Sequence, residues 1–198
     1  MDRILTTHVG SLPRPADLIR TMFAKQEGVP VDPAALESRT REAVAEIVEK
    51  QRAAGVDVVS DGEFGKTISW SRYILERLNG FEDRPDPNRA TTDPKRPLGP
   101  RTDVERFPEF YAEYNATQGF EDVMRNPVCV GPISYAGHDA LQRDIANVRA
   151  AVDAARNAGY EVGAFLPVVA PASVAYKRQD VYYATEEEYV YAVAEALR

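Results

Sequence analysis

Two stretches, ILTTHVGSLPRP at residues 4–15 and GVDVVSDGE at residues 55–63, decide how this chain is read. Each passes from an extended, apolar or β-branched run into a turn that combines glycine with polar side chains, which predicts a short strand opening into a loop. A long helical segment separates them, as the crossover between parallel strands requires. In α/β proteins small ligands sit beyond the carboxyl ends of such strands, so the two turns are the first place to look for a site.

The helix between the two strands has clear signals. Asp32 is a good N-cap, Pro33 suits the first helical position, and Leu36, Ala43, Val44, Ile47 and Val48 recur at helical spacing until Gly55. The second strand is expected over Val56 to Ser60, followed by a helix from about Thr67 to Leu78. Residues 79–108 then change texture, with proline, charge and turn residues and almost no apolar periodicity. They read as an irregular insertion, partly hairpin, serving either as a surface loop or as a lid.

Regularity returns with a third strand over Val128 to Ile133 and a helix whose stripe is Leu141, Ile145, Val148, Val152 and Ala155. A fourth strand is expected over Val162 to Val169. Thr185 and Glu188 stand at capping-box spacing before a last helix carrying Tyr189, Val193 and Leu197 on one face. An internal echo, AAGVDVV at 53–59 and NAGYEVG at 157–163, supports a repeating unit. The reading is a single α/β domain over residues 1–198, built of four parallel βα repeats. No GxGxxG or GxxxxGK[ST] follows a strand, which disfavours a nucleotide-binding open sheet and leaves a (βα)8 TIM barrel. Such a barrel needs about 250 residues, so the chain would supply its N-terminal half. Half a barrel exposes sheet edges, so either a partner or self-association covers them, or the chain is the front of a longer protein.

Composition bounds the function. The 198 residues carry 24 basic and 31 acidic side chains, a net charge of −7, with 44% hydrophobic and 28% charged residues. No basic stripe interleaves with aromatics, so neither nucleic acid nor an anionic membrane surface is expected as a partner. No apolar run approaches the roughly 20 residues of a membrane span, and the N-terminus lacks a signal-peptide core; a cytoplasmic location is the expectation. The lone Cys129 lies in an apolar strand and reads as core.

At the first strand exit stand His8, Val9, Gly10 and Ser11. Backbone N–H groups and the Ser11 hydroxyl can bind a carboxylate, or Ser11 merely caps a proline-stiffened turn. At the second exit, Glu63 can hold an ammonium group or act as a base, and Asp61 can orient its neighbours, although Asp and Gly are also plain turn formers. Ser134 and Ser173 occupy two further expected strand exits, where turn chemistry is the simpler reading. No CxxC, HExxH or GxSxG pattern occurs, so no metal ligand or serine nucleophile is nominated.

TTHVGSLPRP, GVDVVSDGE and the later VGPIS together resemble the cobalamin-independent methionine synthase family, in particular its short single-barrel members. The resemblance implies a TIM barrel, a zinc-bound homocysteine thiolate and a methylated folate as methyl donor, with methionine as product. It implies that Val9, Gly10 and Ser11 contact the amino-acid end of homocysteine and that Glu63 binds its ammonium, with His8 and Asp61 in the same motifs. The family's histidine, glutamate and cysteine zinc ligands match nothing here. The chain is therefore expected to carry the amino-acid-binding half of the site, no metal ligand, and no turnover by itself. Two other readings stand beside it: an alkyltransferase for another small thiol, and a truncated, non-catalytic ligand-binding paralogue.

Overall fold

A computed structural model describes residues 3–66, 70–84, 106–110, 112–113, 126–175 and 178–198. The elements, in chain order, are α1 (Ala16–Gln26), α2 (Pro33–Ala53), β1 (Val58–Val59), α3 (Trp70–Leu75), β2 (Leu78–Arg84), β3 (Asn126–Tyr135), α4 (His138–Asn157), β4 (Gly163–Ala164), α5 (Pro171–Ala175) and α6 (Glu186–Leu197). They fall into two compact units. One comprises Met1–Leu78 with Tyr135–Ala170, and the other Asn79–Ser134 with Pro171–Arg198.

The first unit is built on parallel pairing. Val58 pairs with Gly163 and Val59 with Ala164, while Thr7 makes an isolated parallel bridge to Val58. The strand order is therefore residue 7, β1, β4, and the helix that carries the chain from β1 back to β4 is α4. The echo between 53–59 and 157–163 is the signature of this pairing: Gly55 and Gly159 both adopt left-handed φ, +83° and +88°, as each helix turns into its strand. Asp32 Oδ1 accepts the Ala34 and Ala35 N–H groups at 2.9 and 3.4 Å, capping α2 where Pro33 begins it.

Packing follows the apolar stripes with one rotation. On α2, Ala43, Val44, Ile47 and Val48 are buried as the spacing predicts, against Val148, Ala151, Val152 and Ala155 of α4. On α4 the expected Leu141 and Ile145 are only partly buried, and the inward position one turn before Val148 belongs to Asp144. Leu18, Val59, Phe64 and Val162 complete this core. Full burial of a side chain such as Leu18 or Phe64 stabilises by roughly 1.5–3 kcal/mol, so helices and parallel strands are held together from the apolar side.

The second unit corrects the expected repeat. The third strand does not join the parallel sheet; β3 pairs with β2 in a separate two-stranded sheet. Asn79 Nδ2 donates to Ser134 Oγ at 2.9 Å, and Gly80 lies against Pro132 and Gly131, so residue numbers rise along one strand as they fall along the other, an antiparallel arrangement. Gly131, Pro132 and Ser134 thus lie inside β3 rather than at a strand exit. The physical reason is the segment Leu78–Arg84: Leu78, expected to end a helix, and residues 79–84, expected to open an irregular, partly hairpin insertion, form a strand that supplies β3 with a local ladder partner. Most of the expected 79–108 insertion, residues 85–105, lies outside the described residues, as do 67–69 at the start of the helix expected over Thr67 to Leu78. Among the described residues the parallel sheet does not close into a barrel, and of the expected fourth strand only Gly163–Ala164 is regular.

Also in this unit, Cys129 is fully buried in β3, and burial pushes its thiol up to about 11. Thr185 Oγ1 accepts the Glu188 N–H at 3.2 Å and the Glu188 carboxylate accepts the Ala184 N–H at 3.1 Å, so the capping spacing does begin α6. Tyr189 and Val193 are buried on its inner face, and burial pushes the Tyr189 phenol up to about 12.

Candidate functional site

The two strand exits of the first unit meet. Ser11 Oγ donates to Glu63 Oε2 at 2.9 Å, and the Leu12 N–H donates to the Gly62 carbonyl at 3.1 Å. The contact is possible because Thr7 and Val58 lie side by side in parallel strands, so the residues that follow leave from the same end. Asp57 secures that alignment: its carboxylate accepts the Thr6 N–H at 2.7 Å and the Thr6 hydroxyl at 3.0 Å, and it pairs with Arg3. These contacts hold the Asp57 carboxyl well below the usual carboxylate range, Arg3 contributing most.

The second exit is a turn under strain. Gly62 and Glu63 both have φ of +63°, and the Phe64 N–H donates to the Asp61 carbonyl at 3.1 Å, the pattern of a turn with two left-handed central residues. Glycine is favoured at 62, where φ is left-handed and a Cβ would sit a tight 3.1–3.3 Å from Phe64 and Ile47. Glu63 has no such exemption. A left-handed non-glycine residue costs about 1 kcal/mol or more and persists where its surroundings over-determine it. Those surroundings are visible: Asp61 Oδ1 accepts the Glu63 N–H at 2.9 Å, Arg14 Nη2 donates to the Glu63 carbonyl at 2.6 Å, and Lys66 Nζ lies 3.3 Å from Glu63 Oε1.

Further support comes from beneath the turn. Gln51 of α2 is buried, and its amide clamps the strand end: Nε2 donates to the Ser60 carbonyl at 2.8 Å and Oε1 accepts the Ser60 N–H at 3.1 Å. Beside Gly65 stands Asp144, whose Oδ1 would lie 2.8 Å from a Cβ at that position. Asp144 Oδ2 accepts from Tyr73 Oη at 2.7 Å and Arg77 Nη2 at 2.8 Å, and the Arg77 guanidinium stacks 3.5 Å over the Tyr73 ring. Burial raises the pKa of Asp61, with the Glu63 N–H bond and Lys66 opposing it. Asp144 is raised for the same first reason, against the Tyr73 bond and Arg77. Burial also lowers the Arg14 guanidinium, with Glu63 and Asp61 opposing.

Of the nominated residues, Ser11, Asp61 and Glu63 are brought together. Val9 is 71% exposed beside them, Gly10 adopts φ +111° with open space where a Cβ would be, and His8 is half-buried with its Nε2 enclosed and without a hydrogen-bond partner. Ser173 is exposed on the short α5 of the other unit. Sequence reading passed over Lys66, Arg14, Gln51, Tyr73, Arg77 and Asp144. One signal was available: Asp144 falls on the stripe between Leu141 and Val148, where a charge needs a partner. A cleft of about 520 Å³ in the same unit passes Gly65, Arg77 and Asp144, but none of Val9, Gly10, Ser11 and Glu63 lines it.

Among the described residues no group of three or more His, Cys, Asp or Glu side chains is placed to hold a metal ion, and no helix is long and apolar enough to cross a membrane. The donors among the described residues do not fit the zinc ion that the family resemblance implies.

Paired strand-exit turns on parallel strands stand where α/β folds place their ligand sites, and comparison with known proteins narrows the class. Residues 4–85 match the sequence profile described as "Cobalamin-independent synthase, Catalytic domain". A 5-methyltetrahydropteroyltriglutamate–homocysteine methyltransferase from Streptomyces avermitilis is 37% identical over 76 residues, 38% of this chain and 10% of that protein. The structure of a B12-independent methionine synthase from a Shewanella species, in complex with selenomethionine, superposes with a TM-score of 0.57 at 18% identity. That match covers 97% of this chain and 45% of the other, so it is a likeness of fold. The chain is thus related to the cobalamin-independent methionine synthase catalytic-domain family and spans less than half the length of the relatives it matches.

Proposed function

We propose that the chain provides the amino-acid-binding part of a methionine-synthase-like methyltransferase that transfers a methyl group from a methylated folate to homocysteine. The observation that carries this reading is the direct contact of Ser11 with Glu63 at adjacent exits of parallel strands, inside the segment that matches the family profile. A carboxylate at that position suits an ammonium group, and the open Val9, Gly10 and Ser11 turn offers its N–H donors, with the Ser11 hydroxyl once it leaves Glu63, to the carboxylate of the same amino acid. The strained Glu63 backbone supports it further, since such strain is maintained where a side chain must be aimed. His8, beside Val9, and Asp61, under Glu63, act as positioning groups. Activation of the sulfur falls to residues other than those described, whose donors do not fit zinc. Turnover would need the remaining part of the fold, whether from a longer protein or from a partner at the open sheet edges.

Binding of homocysteine and of 4-mercaptobutanoate, the same thiol without its amino group, tests the reading. A charge-assisted hydrogen bond contributes roughly 1.5–3 kcal/mol, so Glu63→Gln weakens homocysteine about ten- to a hundredfold. The desamino thiol loses little. Equal losses would assign Glu63 a structural role, and no loss with either would remove it from the site.

A further inference from the structure

We infer that Lys66 is an exchangeable counter-ion for Glu63: it holds the carboxylate in the empty site and re-pairs with Asp61 when an ammonium-bearing ligand takes Glu63. This rests on the reading of Glu63 as an ammonium acceptor. Lys66 is 6% exposed, and a buried ammonium without a partner is strongly unfavourable, so it must be paired in every state of the site. In the structure its partner is Glu63 Oε1 at 3.3 Å, and Ser11 takes Oε2. Both oxygens are therefore engaged before a ligand arrives. A second ammonium at the same carboxylate would stand against Lys66 at short range, where like charges repel strongly in a half-buried setting.

The exchange has somewhere to go. Lys66 acts electrostatically on both Asp61 and Asp144, which flank Gly65. Asp144 already bonds Arg77 and Tyr73, whereas the hydrogen bond to the Asp61 carboxylate comes from the Glu63 N–H. Asp61 is 4% exposed, and a cation beside it would offset the cost of burying its charge. Lys66 Nζ also lies 5.6 Å from the Tyr73 ring centroid, a face that tolerates an ammonium in passage. The flexible four-carbon stem of lysine allows the move without displacing the turn.

Calorimetric titration of the full chain with homocysteine and with 4-mercaptobutanoate decides it, using Lys66→Met beside Glu63→Gln. Lys66→Met is expected to tighten homocysteine by roughly three- to tenfold, because a competing ion pair is gone, and to leave 4-mercaptobutanoate unchanged. Unchanged or weaker homocysteine binding, with Glu63→Gln still selective, overturns the counter-ion role and leaves the site reading intact. A Glu63→Gln variant without selectivity, or a wild-type chain that binds neither thiol, overturns both. Should Lys66→Met not fold, carbon NMR of the Lys66 side chain in the labelled wild-type chain replaces it. A shift with homocysteine and none with 4-mercaptobutanoate supports the exchange; the same response to both, or no response, overturns it.

Discussion

The two turns that meet at the candidate site are built in opposite ways. The first, around Val9 to Ser11, stands open, with Val9 71% exposed and Ser11 on the surface. The second, Asp61 to Lys66, is enclosed: Asp61, Phe64 and Lys66 are buried, and its strained backbone is held by Arg14, Gln51 and Asp61 itself. One side of the site is therefore free to adapt to a ligand and the other is set before the ligand arrives. Preorganising charged groups while leaving neutral donors loose places the rigidity where misplacement costs most.

The comparison breaks most visibly at Asp144. Asp144→Ala leaves Arg77 buried without its anion, and a loss of about 3 kcal/mol is expected, read by urea unfolding. A change below about 1 kcal/mol would mean that the enclosed turn does not depend on the support beside Gly65. Next comes Gln51→Leu, which strands the N–H and carbonyl of Ser60 and is expected to cost about 2 kcal/mol. The same variant should weaken homocysteine, since the strand end it frees leads into Glu63.

The pH dependence sharpens the contrast through its sign. Asp61 is raised by burial, so the folded chain keeps its proton at pH values where the unfolded chain has lost it. Its contribution to stability declines as pH rises from the ordinary carboxylate range through the folded value. Asp57, which fixes the first strand, is depressed; its contribution is present above the unfolded pKa and is lost as pH falls through the folded one. Asp61→Asn retains an acceptor for the Glu63 N–H, and should flatten the loss on the alkaline side. Asp57→Asn should flatten the loss on the acid side. Unfolding curves from about pH 1.5 to pH 7, read as the difference between each variant and the parent, separate the two, and difference slopes of equal sign would refute the assignment. The smallest effect belongs to Ser11→Ala on the open turn: one exposed hydrogen bond, a stability change of about 0.5 kcal/mol or less, with any larger consequence confined to ligand binding.

Local signals read the two long helices and the start of the last one, but passed over α1 and α5 and carried the helix before β2 as far as Leu78, where the structure ends α3 at Leu75. Asp32 with Pro33, Thr185 with Glu188, and the left-handed Gly55 and Gly159 act within a few residues of where they stand, so their neighbours in sequence are their neighbours in space. Strand partnership is different. Composition suggests part of a hairpin after 79 without placing its strand, and nothing within 128–133 tells whether it joins a parallel sheet or an antiparallel pair, because both choices satisfy the same short apolar run. Pairing is decided by which edge is available, a long-range property.

The sequence by itself determined the α2 stripe, the later part of the α4 stripe with Val148, Val152 and Ala155, the caps, the strand and turn at 55–63, and the family relation that residues 4–85 carry. Only the tertiary structure decided that β4, not β3, pairs with β1, that β2 and β3 pair apart from the parallel sheet, and that Arg14, Gln51, Lys66 and Asp144 converge on the Glu63 turn. The reason is the range of the forces. Caps and helical periodicity act over one or two turns of chain. Arg14 instead finds the Glu63 carbonyl 49 residues away and Arg77 finds Asp144 at a separation of 67, because a buried charge must meet an opposite partner or acceptor wherever the fold supplies one, and no local pattern records where that is.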